Sequence, residues 1–85
     1  MYEIFTANSK IEKQIQEYLL LRKDIKDKLD RLKESPYGAN GAHKLHGKLE
    51  GKWACWLGSN IRVIYIINEV MKKIILVAIG THKIY

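Results

Sequence analysis

The stretch KWACWLGSNIRVIYII, residues 52–67, decides the architecture. Its side chains alternate with a period of two, so Lys52 to Leu57 and Ile61 to Ile67 read as strands. Gly58-Ser-Asn60 between them is a short hairpin connection. Lys73 to Ile79 continues the pattern as a further strand, reached through Asn68-Glu69 and their neighbours. The last two strands carry Ile and Val on both faces. Such a sheet needs cover on one face and a partner on the other.

Outward from this stretch the period changes. Ser35-Pro-Tyr-Gly-Ala-Asn-Gly41 is a loop, and Pro36 ends whatever helix precedes it. Before it, Ile25, Leu29 and Leu32 form one apolar stripe at helical spacing, and Ile11, Ile15, Tyr18 and Leu19 form another. The charged cluster Arg22-Lys23-Asp24 marks a tight turn between two helices. Ser9, three residues ahead of Glu12, reads as a capping box. Residues 2–5 alternate and read as a short strand. The expectation is an α+β domain spanning residues 1–85, with two N-terminal helices packed on a three- to four-stranded antiparallel sheet. Two helices cover one sheet face only.

Composition bounds the function. The chain has 85 residues, 47% of them hydrophobic and 28% charged, which excludes a disordered or fibrous chain. The longest apolar run, Ile74 to Ile79, is far short of the roughly 20 residues of a membrane helix. Met1-Tyr-Glu-Ile-Phe lacks the basic-then-apolar pattern of a secretory leader. Cys55 is the one cysteine, which fits a reducing, cytoplasmic setting. The net charge is +6 and unevenly spread. Residues 1–42 hold eight basic and seven acidic side chains, whereas residues 43–85 hold seven basic and two acidic. The second half is the part that attracts anions, a nucleic acid or an acidic protein.

No phosphate-binding loop or dinucleotide fingerprint is present. The second half has only Glu50 and Glu69 as acids, too few for a magnesium cluster. His43-x-x-His46 with Cys55 and His82 is a weak zinc pattern, and Cys55 reads more simply as a small apolar strand residue. The better constellation is Lys44, Lys48, Lys52 and Arg62 with His43, His46 and His82 and the aromatics Trp53, Trp56 and Tyr85. Cofactor-free RNA cleavage needs such a set. The ribose 2′-OH must lose a proton, the leaving 5′-oxygen must gain one, and the phosphorane between carries extra negative charge. Histidine suits the proton transfers, arginine the phosphorane, and an aromatic ring an unpaired base. Arg62 alternates with Ile64 and Ile66 on one strand face, an expensive place for a charge without an anion. His82 follows the last strand beside Gly80. Trp53 and Trp56 lie three apart and so face opposite sides of a regular strand.

Four segments in order resemble the RelE/ParE toxin superfamily, in particular its RelE/StbE and YafQ-like branches. They are Pro36-Tyr-Gly, His43-Lys-Leu-His-Gly-Lys-Leu-Glu-Gly-Lys-Trp53, Ile61-Arg-Val-Ile-Tyr65 and Ile79-Gly-Thr-His82. The resemblance implies an mRNA-cleaving toxin of a type II toxin–antitoxin system, usually acting on the ribosome. It also implies an acidic, partly disordered antitoxin partner that forms a hetero-oligomer with it. It places Arg62 on a phosphate-stabilising arginine and His82 on a general acid or base. His43 falls on a histidine implicated in catalysis, Tyr85 near the terminal aromatic, and Lys44, His46, Lys48 and Lys52 among the residues that hold RNA. The chain departs from the pattern in two ways. Tyr85 stands three residues after His82 where the family spaces its aromatic four after, and Trp56 stands where YafQ-like toxins carry a histidine. Two other readings stay open, a ParE-like gyrase inhibitor and a catalytically inactive module that binds nucleic acid or antitoxin.

Overall fold

The helical half starts at Asn8, whose side chain accepts the Ile11 N–H at 3.0 Å and caps α1 (Ser9–Leu21). The cap is therefore Asn8 rather than Ser9. Glu12 is turned instead to the Thr6 hydroxyl, which donates to it at 3.2 Å. The turn at Arg22-Lys23 separates α1 from α2 (Asp24–Glu34), and Arg22 pairs with Asp24 at 3.0 Å across it. α2 stops two residues ahead of Pro36. A computed structural model describes residues 1–58 and 60–81 of the chain.

The strands are β1 (Glu3–Thr6), β2 (His43–Lys44), β3 (Trp53–Trp56), β4 (Arg62–Asn68) and β5 (Lys73–Gly80). They form one sheet in the order β1-β5-β4-β3-β2. The sheet is thus one strand larger than expected. The fifth strand, β2, is two residues long, too short for an alternation to register in sequence. Nor is the sheet wholly antiparallel, since β1 runs parallel to β5 with Glu3 opposite Lys73 and Thr6 opposite Leu76. The helical hairpin after β1 supplies the crossover that a parallel pairing requires. β3, β4 and β5 form the expected antiparallel meander, with a bulge between Ile64 and Tyr65.

Alternation sorts the side chains. One face presents Cys55, Val63, Tyr65, Ile74, Leu76 and Ile79 to Ile11, Ile15, Ile25, Leu29 and Leu32 of the helices, and together these form the core cluster. The opposite face carries Phe5, Ala54, Trp56, Arg62, Ile64, Ile66 and Ile75, and neither helix covers it. At the centre of the covered face Tyr65 is fully buried, and its hydroxyl donates to the Pro36 carbonyl at 2.7 Å. That bond pins the loop after α2 to the middle of the sheet. Burial raises the Tyr65 phenol and keeps it a donor. Tyr65→Phe leaves the Pro36 carbonyl buried without this donor. It is expected to lower stability by about 1–3 kcal/mol, read as a lower urea midpoint at unchanged slope.

Candidate functional site

The loop pinned by Tyr65 carries the chain to the edge of the uncovered face. Asn40 adopts a left-handed conformation (φ 57°) and its side-chain amide donates to the Lys28 carbonyl at 2.7 Å, tying the loop to α2. Gly41 follows at φ +71°, a conformation suited to glycine. A side chain there would meet Trp56 Cδ1 at 3.3 Å, so the backbone lies close against the indole. Trp56 pairs across the sheet with Arg62, whose guanidinium carbon is 4.1 Å from the indole ring centroid. Trp56 thus packs beside the Gly41 backbone and holds the Arg62 guanidinium by a cation–π contact.

β2 brings the basic segment alongside. His43 pairs with Ala54 and Lys44 with Trp53. Beyond β2 the chain folds back through Gly47 (φ 67°) and Gly51 (φ 89°), and the Leu45 N–H donates to the Lys52 carbonyl at 2.9 Å. His43 Nδ1 lies 3.1 Å from the Gly41 carbonyl. A carbonyl only accepts, so Nδ1 carries the proton in this bond and the Nε2 lone pair points elsewhere. His43, His46, Lys44 and Arg62 line one open groove, floored by Leu45 and Leu49. Among the described residues, no carboxylate lines it.

The structure therefore brings together four of the residues singled out in sequence: Arg62, His43, His46 and Lys44. Lys52 borders a second groove on the other side of the Lys44–His46 ridge. Lys48 is exposed in the turn Gly47–Leu49 and lines neither groove. His82 and Tyr85 lie outside the described residues; Gly80, two positions before His82, is paired with Arg62. Cys55 is fully buried on the core face, away from the groove, and burial pushes its thiol up to about 12. It is a thiol at neutral pH, not a nucleophile. Among the described residues no three His, Cys, Asp or Glu side chains come together as metal ligands.

Sequence reading missed the stacking role of Trp56, and the glycine two residues ahead of His43 was its available signal. It also missed a polar cluster behind the basic loop. Glu69 accepts from the Tyr2 hydroxyl at 2.7 Å and the Tyr37 hydroxyl at 2.5 Å, and pairs with Lys72. Tyr37 in turn packs edge-on against Trp53, with ring centroids 5.3 Å apart. These contacts join the residue ahead of β1, the loop and the β4–β5 turn, and no local pattern announces them.

Comparison with protein-family models finds no match, and comparison with curated proteins finds none either. Solved structures do match. A heterotetrameric YoeB–YefM toxin–antitoxin complex from Staphylococcus aureus aligns at TM-score 0.74 and 17% identity, covering 96% of this chain and 98% of that chain. A YoeB/ParE toxin from Agrobacterium tumefaciens aligns at 0.71 and 15%, covering 94% and 98%. YafQ from Escherichia coli aligns at 0.70 and 17%, covering 96% and 94%. The chain has the RelE/ParE toxin fold. Within that RelE/ParE frame its groove is built on the sheet face away from the helices, and its arginine is carried on an indole. No described helix is long and apolar enough to cross a membrane.

Two outcomes follow from this geometry. Lys72 first, then the Tyr37 and Tyr2 hydroxyls, pull the Glu69 carboxyl from its ordinary 4.5 down to about 2. A carboxyl lowered in the folded state stabilises it fully above about 4.5, and that contribution drains away as pH falls towards about 2. Glu69→Gln is expected to melt below the parent near neutral pH and to converge with it across that window, as followed by circular dichroism. Gly41→Ala forces a side chain into left-handed backbone against Trp56. It is expected to destabilise by about 1–2 kcal/mol in urea titration and to change the Trp56 emission spectrum.

Proposed function

We propose that the chain is the toxin of a type II toxin–antitoxin pair and acts as a metal-independent endoribonuclease on mRNA engaged by the ribosome. The observation that carries this reading is the convergence of Arg62, His43, His46 and Lys44 on one groove, with no acid among its described lining residues. A phosphodiester there meets fixed positive charge and imidazoles, the set that transesterification needs. The fold shared with YoeB, YafQ and ParE toxins supports the same reading.

In the proposed reaction the 2′-oxygen attacks the adjacent phosphorus and its proton passes to His43 Nε2. Nδ1 of that ring is already committed to the Gly41 carbonyl, which orients Nε2 as the basic atom. Arg62, held against Trp56, faces the charge that accumulates on the phosphorane oxygens. The bond from phosphorus to the 5′-oxygen breaks, and a second imidazole, that of His82, supplies the proton this oxygen takes. The products are a 2′,3′-cyclic phosphate and a free 5′-hydroxyl. Lys44, Lys48 and Lys52 hold the flanking backbone, and Tyr85 stacks at the reacting nucleotide. An acidic, partly disordered antitoxin neutralises the basic half.

The test is induced expression without antitoxin, with growth and mRNA 5′ ends followed together. Arrest with new cuts inside translated codons is expected, and Arg62→Ala or His43→Ala should slow cleavage by about 10²–10⁴-fold. Arrest with intact mRNA and induced DNA damage overturns the nuclease in favour of a gyrase inhibitor. Unimpaired growth identifies an inactive binding module.

A further inference from the structure

The groove on the far side of the Lys44–His46 ridge takes no part in the proton transfers above. Lys44, His46, Lys52 and Trp53 bound it together with one acid, Glu50. Trp53 is only partly buried, whereas its strand neighbours Ala54 and Cys55 are fully buried. Its ring is held before any ligand arrives. Tyr37 packs against it in a T-shaped contact, and Glu69 anchors Tyr37 through its hydroxyl. The Lys44 ammonium stands 5.8 Å from the Trp53 centroid. An oriented aromatic ring flanked by two lysines matches the two halves of a nucleotide, a flat base and a charged backbone.

Lys44, Leu45 and His46 border both grooves, so a strand lying in one reaches the other by crossing that ridge. Trp53 and Arg62 project from opposite faces of the sheet. A ligand that uses both must therefore wrap around the β2 edge. We propose that this second groove is a nucleotide subsite, in which an unpaired base flanking the scissile linkage stacks on Trp53 while Lys44 and Lys52 hold its phosphates. This assignment rests on the RNA-cleaving reading of the first groove. It makes Tyr37 and Glu69 positioning residues for RNA, acting through Trp53.

The chain contains two tryptophans, so Trp56→Phe leaves Trp53 as the sole indole reporter. The probe is a 2′-O-methyl RNA hexamer, which cannot undergo 2′-attack, titrated at low salt. Its binding is followed by anisotropy of an end label and by Trp53 emission. Saturable quenching of Trp53 with the same midpoint as the anisotropy is expected. Trp53→Ala should weaken hexamer binding by about 5- to 100-fold, while Trp53→Phe stays within a few-fold of the parent. Lys52→Ala should lower the slope of affinity against salt by about one. Should Trp53→Ala fail to fold, the emission titration decides alone. Hexamer binding that Arg62→Ala weakens, with Trp53 emission unmoved, overturns the subsite and leaves the RNA reading standing. Equal quenching by a hexaglutamate peptide overturns the assignment to a base. Absence of hexamer binding overturns the RNA reading and the subsite with it.

Discussion

The bond from the Tyr65 hydroxyl to the Pro36 carbonyl holds the two halves of the molecule in register. It runs from a fully buried strand residue to the second residue of the loop that leaves α2. Everything distinctive about the site descends from that loop. Tyr37 reaches Trp53 and Glu69, Asn40 ties back to Lys28, Gly41 lies against Trp56, and His43 begins β2. A buried carbonyl without a donor is penalised by as much as several ordinary contacts, so the loop has one low-energy place to start. Position is then passed along the chain by backbone hydrogen bonds and close packing rather than by a second core.

The two sheet faces divide the labour. The covered face is filled by Ile, Leu, Val and the Tyr65 ring and supplies stability through burial. The face away from the helices is also apolar in its middle, where Ile64 is buried and Ile66 exposed along β4. Arg62 sits at the end of that row, where Trp56 receives its guanidinium on an aromatic surface. A cation in that position is tolerable because the indole replaces part of its lost hydration. The acids of the chain are concentrated in the helices, so the basic loop meets little local neutralisation.

Much of this was legible in the sequence because it is local. The two helical stripes, the stop at Pro36, the three long strands and the opposition of Trp53 and Trp56 all rest on spacing within a few residues, and all are present. The choice of Arg62 as a site candidate followed from its place on an apolar strand. What escaped depends on contacts between distant residues or on elements too short to show a period. β2 has two residues, and β1 finds its parallel partner about seventy positions away. The helix cap moved by one residue because Asn8 and Ser9 are both good caps, and the Thr6 hydroxyl had claimed Glu12. The union of Tyr2, Tyr37, Glu69 and Lys72 joins three segments that no linear pattern connects.

The parallel pairing of β1 with β5 also bears on how the chain comes into being. Translation proceeds at about 5–20 residues per second from the first strand towards the last. β1 lies at the sheet's edge, and Glu3 to Thr6 align only with Lys73 to Leu76. The sheet stays open while those late residues are still inside the ribosome. Arg62 has no β5 neighbour during that interval, because Gly80 emerges later still. Non-local closure of this kind is also slow once the chain is free. The basic surface is therefore finished only after β5 has left the ribosome and paired with β4.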